Sequence, residues 1–513
     1  MHAVVIKSLS MSHIISKLLS SYLSKIWIVV LNLILIPLYL KYLGIEAYAL
    51  IGLYAILQSI FVIFDMGFSV SINREISRLT AAQGNEQKIQ DLTKSFEVLY
   101  WGFALVLGFI ILFSSRYIAY SWLKVDHIPL AVVNFSIIII GISLAFQFPI
   151  GFYAGCFMGL QRQVLYNAVN TAMWTVRGLV SILIILFTEN RIIYFFCWQL
   201  VTNIANVFIF ASIIHSILPK AQKKPSFNFK RIAETWRFAI GTGLAAIIIL
   251  LFNQADKIIL SKMLNLTYFG YYTLTYQVIG SLSILYYPIY SVFFPMFSQN
   301  VSQHNDEKLK YNFHLSSLIM AVLVLPTVVW LFVFSKDIMF CWTGSLATAQ
   351  NTYILVQILI CGAVFSNYIY IPNTLHQAFG HFKYLISVYI LGIIFLIPML
   401  ILVQEFYGII ASAFIVAAMN IIVATIFYII TFSKFLKGEV FKWLYNQTQP
   451  LLSALIFSVV VRYMYPRIDS LFYILVVYIA MMIFTTFTNG FIRNKMMKMF
   501  KKLIYEKCVM AKG

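Results

Sequence analysis

Fourteen apolar runs of roughly 18 to 25 residues constrain the fold of this chain more than any other feature. Each run is long enough to cross about 30 Å of hydrocarbon as a helix. Composition agrees, since 61% of the 513 residues are hydrophobic and only 11% are charged. The runs cover residues 18–40, 48–70, 96–114, 129–154, 165–187, 192–217, 235–260, 268–296, 313–335, 352–375, 384–403, 407–431, 449–465 and 470–488. The sequence therefore predicts an all-α integral membrane protein with about 14 transmembrane helices.

Lysine and arginine residues are distributed unequally between the two sides of the predicted membrane. The side of the loops after odd-numbered spans holds nine of them, including Lys257 and Arg462 near span ends, whereas the side of the termini and the even-numbered loops holds 26, including Arg237. Because positive residues are retained on the cytosolic side, both termini are predicted to be cytosolic. These loops also account for the formal net charge of +20. Nucleic acid is not a predicted partner, because no soluble domain is available to carry a basic binding face.

The two halves of the chain contain matching residues. A constant shift of 221 residues pairs Asn32 with Asn253, and it pairs the stretch 159–162 (GLQR) with 380–383 (GHFK). Two lobes of six spans each are predicted, in pseudo-two-fold repeat about an axis along the membrane normal, with a cavity between them. The predicted domains are an N-terminal lobe (1–217), a basic cytosolic linker (218–234), a C-terminal lobe (235–431), two extra C-terminal helices (432–488) and a basic cytosolic tail (489–513).

The basic tail has two open readings, an amphipathic segment that binds anionic membrane lipids or a simple retention signal. Motifs for enzyme chemistry are absent from the sequence. There is no Walker A sequence for direct use of ATP, and no H-E-x-x-H zinc motif. The five cysteines lack paired spacing. No catalytic residue, metal or cofactor is therefore predicted.

Ionisable residues inside the apolar spans are the strongest functional signal, because such groups are costly in lipid and often mark a transport path. Lys25, Asp65 and Arg177 lie within spans, and Asp256 lies beside Lys257 near the outer end of another. If residues 47–78 formed one helix, Asp65 would lie about 13 Å along its axis from Arg74.

The predicted substrate-binding residues are Lys25, Arg74 and Arg177, together with the repeat-related pair Asn32 and Asn253. Buried cations of this kind suit an anionic ligand such as a phosphate or diphosphate. The carboxylates Asp65 and Asp256 are predicted to couple transport to a proton or sodium ion.

Structural roles for these charges remain open at this point. Asp65 could form an ion pair with Lys25 or Arg74, and Arg177 could be paired internally or extend toward the interface. Asp256 and Lys257 could serve only at the membrane interface.

The chain resembles the bacterial polysaccharide flippases called Wzx, or O-antigen translocases, which belong to the MOP superfamily with the multidrug MATE exporters. The resemblance covers nearly the whole chain, and is carried by Tyr42-Leu43-Gly44, Tyr48, Asp65-Met66-Gly67, Arg74 and the stretch 159–162. Ala49 departs from the pattern, because such proteins often have glycine after the tyrosine.

This resemblance implies that the protein moves an undecaprenyl-diphosphate-linked oligosaccharide across the bacterial cytoplasmic (inner) membrane. It also implies alternating access, coupling to an ion gradient and a possible complex with a polysaccharide polymerase. Two alternatives remain, a cation-coupled drug exporter of the same superfamily and a membrane polysaccharide polymerase. An acidic cavity would favour the exporter, and a large outer loop with catalytic groups would favour the polymerase.

Overall fold

The computed structural model describes residues 11–490 except 66, 82–83 and 222, without the side chains of 11–19, 230–231, 233–243, 245 and 287. Residues 1–10 and nearly all of the predicted basic tail (489–513) lie outside the described residues. Within the described part the chain forms seventeen α-helices and a short π-helical turn, Ile118–Trp122. The prediction of an all-α membrane protein is confirmed.

The helices of the first half are α1 (Met11–Leu43), α2 (Ile45–Phe64), α3 (Phe68–Thr80), α4 (Glu86–Tyr117), α5 (Leu130–Gly159), α6 (Gln163–Phe187), α7 (Arg191–Ile217) and α8 (Phe229–Met263). Those of the second half are α9 (Leu266–Gly280), α10 (Ser283–Ser302), α11 (Asp306–Val333), α12 (Ser335–Thr343), α13 (Leu346–Tyr368), α14 (Tyr370–Ala378), α15 (Lys383–Lys434), α16 (Val440–Met464) and α17 (Leu471–Thr488).

By length and composition, ten segments of the described chain could cross a membrane, and a bent pair, Leu266–Tyr286 with Pro288–Ser302, could be an eleventh. The difference from fourteen has identifiable sources. Predicted spans 384–403 and 407–431 share α15, which has non-helical backbone at Gly408 (φ 73°). Span 449–465 lies on α16, which carries more polar residues, and span 235–260 lies on α8, where many side chains fall outside the described part of the chain. The exact number of crossings remains a prediction.

The chain divides into two compact units, Met1–Thr273 and Leu274–Gly513. Helix α8 was predicted to begin the C-terminal lobe, but it packs on α2, α3 and α4 and so groups with the first unit. The five-part domain division from sequence, including the lobe boundary in the linker, stays a prediction.

Residues 47–78 do not form one continuous helix, because the chain breaks between Phe64 and Phe68. Gly67 has left-handed backbone (φ 77°), a conformation that costs glycine little and other residues more. The break separates the apolar α2 from the polar α3. It leaves Asp65 at the end of α2, where its side chain no longer belongs to a helical face shared with Arg74.

A row of three glycines lies on one face of α5, and two of them, Gly155 and Gly159, receive α3. Gly151, Gly155 and Gly159 are spaced four residues apart, so they lie in a row along the helix. A Cβ atom on Gly155 would lie 2.5 Å from the carbonyl oxygen of Ser69, and one on Gly159 would lie 2.8 Å from Cβ of Ile76. Small residues are thus required for α3 to approach this closely, as in other membrane helix pairs.

In the second unit α11 is the central helix, with most of its apolar stretch buried. It contacts α10, α13 and α16. Val329 of α11 packs with Ala454 of α16 and Met481 of α17, which attaches the last two helices to the unit. Helix α10 contacts α14, where the Tyr290 hydroxyl lies 3.1 Å from Oε1 of Gln377.

Candidate polar site in the first unit

Arg177 is the centre of a polar cluster among α2, α5, α6 and α7. Its Nε donates to the side-chain carbonyl of Gln199, and Nη1 lies 3.5 Å from Oδ1 of Asn203. Its Nη2 donates to the Tyr54 hydroxyl at 3.0 Å. The guanidinium also lies 5.1 Å from the ring of Trp174. Arg177 is half-buried, whereas Gln199 and Asn203 are buried.

Neutral side chains support these partners in turn. The Tyr54 hydroxyl donates to Oε1 of Gln147 at 3.0 Å. The Asn203 amide donates to the hydroxyls of Tyr54 at 2.9 Å and Ser143 at 2.8 Å. Four helices thereby hold the guanidinium in a fixed orientation.

The charge of Arg177 is not neutralised by a carboxylate among the described residues, since each of its side-chain hydrogen bonds goes to a neutral group. An arginine at the centre of a membrane helix costs about 2.5–3.5 kcal/mol on insertion scales. Amides and a hydroxyl offset this cost while leaving the net positive charge. The cluster is therefore suited to attract an anion.

Asp65 occupies a separate site at the break between α2 and α3. Its Oδ1 accepts a hydrogen bond from the Tyr100 hydroxyl, and Oδ2 accepts one from Ser69 at 2.8 Å. In the described part of the chain these hydroxyls are its side-chain partners, so the alternative of an ion pair with Lys25 or Arg74 is not observed. Like Arg177, this half-buried charge is held by neutral groups.

Helix α1 runs along α6 and carries two of the predicted residues. Ser24 and Trp27 hydrogen-bond to Thr171 at 2.6 Å and Thr175 at 2.9 Å. Lys25, which is exposed, therefore lies near the level of Thr171, roughly 9 Å along the α6 axis from Arg177. It is closer than Arg177 to the end of α6 that the positive residues predict to be cytosolic.

Asn32 of α1 lies near the level of Arg177. Gly178, the residue after Arg177, packs against Leu31 and Leu35 of α1. Asn32 is half-buried and forms no side-chain hydrogen bond within the described residues.

The other predicted residues lie apart from this cluster. Arg74 is exposed on α3. On α8, Asn253 is exposed, and Asp256 is buried against Lys257 at 3.3 Å and the Tyr272 hydroxyl at 2.6 Å. Asp256 is thus paired with a cation, unlike Asp65. In the described residues no three His, Cys, Asp or Glu side chains converge as a metal site would require.

Four residues of the cluster were not predicted from the sequence: Gln199, Asn203, Tyr54 and Gln147. One signal was available, since Gln199 and Asn203 are four residues apart in an apolar span and so lie on one helix face. Tyr54 and Gln147 gave no comparable signal, because single polar residues in long spans are common.

Comparison with known proteins identifies the family and the fold. The family model described as "Polysaccharide biosynthesis protein" matches residues 14–301. The structure is similar to a lipid II flippase, MurJ, in an inward closed conformation, with a TM-score of 0.72 and 16% identity over 93% of this chain and 100% of that one.

Two multidrug transporters of the MATE family are similar as well. An inward-facing member of the MOP superfamily gives a TM-score of 0.64 at 11% identity, over 82% of this chain and 95% of that one. VcmN of Vibrio cholerae gives 0.54 at 13% identity, over 80% and 97%. At such identities the similarity establishes the fold alone. Among curated proteins no sequence matches this chain. Because the family model spans more than half of its length, the chain belongs to the polysaccharide biosynthesis protein family, with the fold shared by MurJ and the MATE transporters.

Proposed function

We propose that this protein is a flippase for an undecaprenyl-diphosphate-linked oligosaccharide, an O-antigen or other surface polysaccharide repeat unit. It acts in the bacterial cytoplasmic membrane with both termini in the cytosol. The family and the fold support the movement of a lipid-linked substrate. One observation favours an anionic ligand. Within the described residues, the guanidinium of Arg177 is held by neutral partners and has no carboxylate beside it.

The chemistry of this cluster suits a diphosphate that must be bound and then released. A guanidinium can present two parallel N–H groups to phosphate oxygens. Gln199, Asn203 and Tyr54 compete only weakly for the cation, because hydrogen bonds to neutral acceptors are weaker than those to an anion. The ligand therefore does not have to displace a carboxylate.

Lys25 supplies an earlier contact on the same path. It lies nearer the predicted cytosolic end than Arg177, by roughly 9 Å. Phosphates entering from the cytosol would meet Lys25 first and Arg177 second. Asn32 at the level of Arg177 would add an amide for the phosphate or the first sugar, and Arg74 and Asn253 remain proposed contributors from other helices.

Ion coupling is assigned in this proposal to Asp65 and Asp256. A carboxylate has about four acceptor positions, and the hydroxyls of Tyr100 and Ser69 occupy two at Asp65. A proton or sodium ion would bind at the remaining positions. Alternating access would then expose the substrate site to one membrane face at a time. A polysaccharide polymerase is the proposed partner that receives the repeat unit.

The test compares Arg177→Gln and Arg177→Lys with the matched control Arg116→Gln, at an exposed arginine near the end of α4 that is predicted to be outer. Losing a charge-assisted hydrogen bond costs about 1.5–3 kcal/mol, so surface polymer should fall roughly tenfold or more in Arg177→Gln. The lysine variant should retain part of the activity, and the control should match the wild type. Normal polymer from correctly inserted Arg177→Gln would overturn the role of Arg177.

The MATE-like fold supports a second candidate, a cation-coupled exporter. Export of organic cations would be opposed by the positive charge of Arg177. Cells that extrude a cationic dye through this protein, while making normal polymer in its absence, would favour the exporter over the flippase.

A further inference from the structure

Glu97 is a buried carboxylate near the end of the first unit that the positive residues predict to be cytosolic. Its Oε1 accepts a hydrogen bond from the Tyr153 hydroxyl at 2.7 Å and lies 3.2 Å from Nε2 of His215. Its Oε2 lies 3.5 Å from Nζ of Lys94. These contacts join α4, α5 and α7 at one carboxylate.

A small cavity connects this carboxylate with the surface. It has a volume of about 140 Å³ and is lined by Gln90, Thr93, Lys94, Glu97, His215, Leu218 and Pro225. This volume is sufficient for several water molecules, and the polar lining offers them partners. The side chain of His215 is 46% exposed, whereas that of Glu97 is 11% exposed. His215 thus contacts both the solvent and the buried acid.

The linker after α7 lies along α4 and forms one wall of the cavity. Gln90 donates to the carbonyl of Pro219 at 2.7 Å, and the amide of Ser226 donates to Asp91 at 2.8 Å. Leu218 and Pro225, which are next to these attachments in sequence, line the cavity. Movement of α4 against α7 would therefore change access to Glu97.

The second unit contains the same residue types in a different environment. Glu439, at the start of α16, accepts a hydrogen bond from His314 of α11 at 2.8 Å, and Lys310 lies 3.4 Å away. The side chain of His314 is only 7% exposed. Water reaches His215 more readily than His314. The Glu97–His215 and Glu439–His314 pairs contain the same residue types but differ in their access to protons from water.

We propose that Glu97 and His215 form a cytosolic proton-binding site whose occupancy controls the transport cycle. This proposal goes beyond the proposed function. Its prediction for transport rests on that function and on the predicted orientation of the protein in the membrane. A proton from cytosolic water adds to the imidazole of His215. The imidazolium then forms an ion pair with the Glu97 carboxylate and holds α7 to α4. Return of the proton to water weakens this link and allows the helices to separate.

Other groups face the pair and set its charge balance. Lys94 on α4 keeps a positive charge beside Glu97, and Tyr153 on α5 donates its hydroxyl. The Cys156 thiol on α5 is close enough to interact with the charge of Glu97. Because histidine is the side-chain type that ordinarily changes charge between pH 5 and 8, the proposal places the proton on His215 and not on Lys94 or Tyr153.

The first experiment measures lipid-linked oligosaccharide transport in vesicles of known orientation, with the pH of the cytosolic side varied from 6 to 8. The wild-type rate should rise roughly threefold or more as His215 loses its proton. His215→Gln and Glu97→Gln should show a nearly flat profile. The matched control His314→Gln should keep the wild-type profile. Folded His215→Gln and Glu97→Gln with the wild-type profile would overturn the proposal, and so would a flat profile in His314→Gln.

The second experiment does not require transport. The thermal unfolding midpoint of the full-length protein is measured in detergent at pH 6 and pH 8, for the wild type and for His215→Gln. The wild type should exceed the variant by more at pH 6, where the ion pair is formed. An equal difference at the two pH values would refute the proton site even if transport is confirmed. A pH-dependent difference in a protein without transport would refute the proposed function and leave the proton site intact.

Discussion

The two halves of the chain differ in how many charged residues their apolar spans contain. The predicted spans up to residue 260 contain Lys25, Asp65, Glu97, Arg177, Arg237, Asp256 and Lys257, whereas those from residue 268 onward contain only Arg462. Arg177 and Asp65 are held by neutral groups, but Arg462 forms an ion pair with Asp337 of α12. A charge without a counter-charge is costly in a membrane and is kept where a ligand can use it. The contrast supports our proposal of ligand binding in the first unit, whereas in the second unit the Arg462–Asp337 pair attaches α16 to α12.

Packing differs between the halves at equivalent positions as well. The repeat of 221 residues relates Gly151, Gly155 and Gly159 to Pro372, His376 and Gly380. In the first unit α5 is continuous and receives α3 on its glycine row. In the second unit the corresponding helix is divided into α13 and α14, and α10 contacts α14 through larger side chains. At these positions the first unit therefore depends on close backbone approach, and the second on side-chain contacts.

The largest expected effect comes from filling the glycine row. Gly155→Leu would drive side-chain atoms into the backbone of Ser69 and should destabilise the protein by about 3 kcal/mol or more. The measurement is the thermal unfolding midpoint together with the yield of folded protein. Gly151→Ala is the matched control, since its nearest neighbour would be 4.0 Å away at Asp65. A stable Gly155→Leu protein would contradict the claim that the first unit depends on close approach of α3 to α5.

A second prediction gives Arg177 the counter-charge that it lacks. Gln199→Glu places a carboxylate at the atom that already accepts from the Arg177 Nε. Transport should fall roughly tenfold, because a ligand must now compete with an internal ion pair worth about 1.4 kcal/mol or more. Surface polymer and folded yield are the measurements.

The same change in the second unit serves as the control for this prediction. Gln357→Glu, at a half-buried glutamine whose amide donates to the Phe332 carbonyl, should leave transport unchanged. Full transport by Gln199→Glu would show that neutral partners around Arg177 have no functional purpose.

A third prediction concerns the paired charges of the second unit. Asp337→Asn leaves Arg462 without its partner and should lower the free energy of unfolding by roughly 2 kcal/mol, less than for a fully buried pair because Arg462 is 33% exposed. Transport per folded molecule should remain close to wild type. A selective loss of transport at normal stability would place a functional charge in the second unit and contradict the comparison.

The smallest expected effect concerns Glu439. Burial alone would raise the pKa of this carboxyl, but the hydrogen bond and charge of His314 and the contact with Lys310 outweigh it and hold the pKa below the usual value. Its ionised form therefore adds stability above the unfolded-state pKa, and this stability is lost as the pH falls through the lower folded-state pKa.

Glu439→Gln tests this expectation. At pH 7 the variant should lose about 1 kcal/mol or less of unfolding free energy, and the difference from wild type should shrink on acidification toward pH 3. The unfolding midpoint measured across this range checks it. A difference that grows on acidification would contradict the sign of the pKa shift.

The sequence by itself determined the all-α membrane class, because hydrophobic runs long enough to cross lipid leave helices as the available structure. It also indicated Arg177 and Asp65, since an ionisable residue in an apolar run is visible without any structure. It failed at the break after Asp65, because the apolar pattern continues through Gly67 and only the backbone conformation interrupts the helix.

Only the tertiary structure decided what surrounds each charge. Gln199, Asn203, Tyr54 and Gln147 come from three helices far apart in sequence, and hydropathy treats each of them as an isolated polar residue. Whether a charge meets a carboxylate, as Arg462 does, or neutral groups, as Arg177 does, depends on how the helices rotate and pack. That choice is made by long-range contacts, which is why composition and periodicity could locate the charges but not predict their partners.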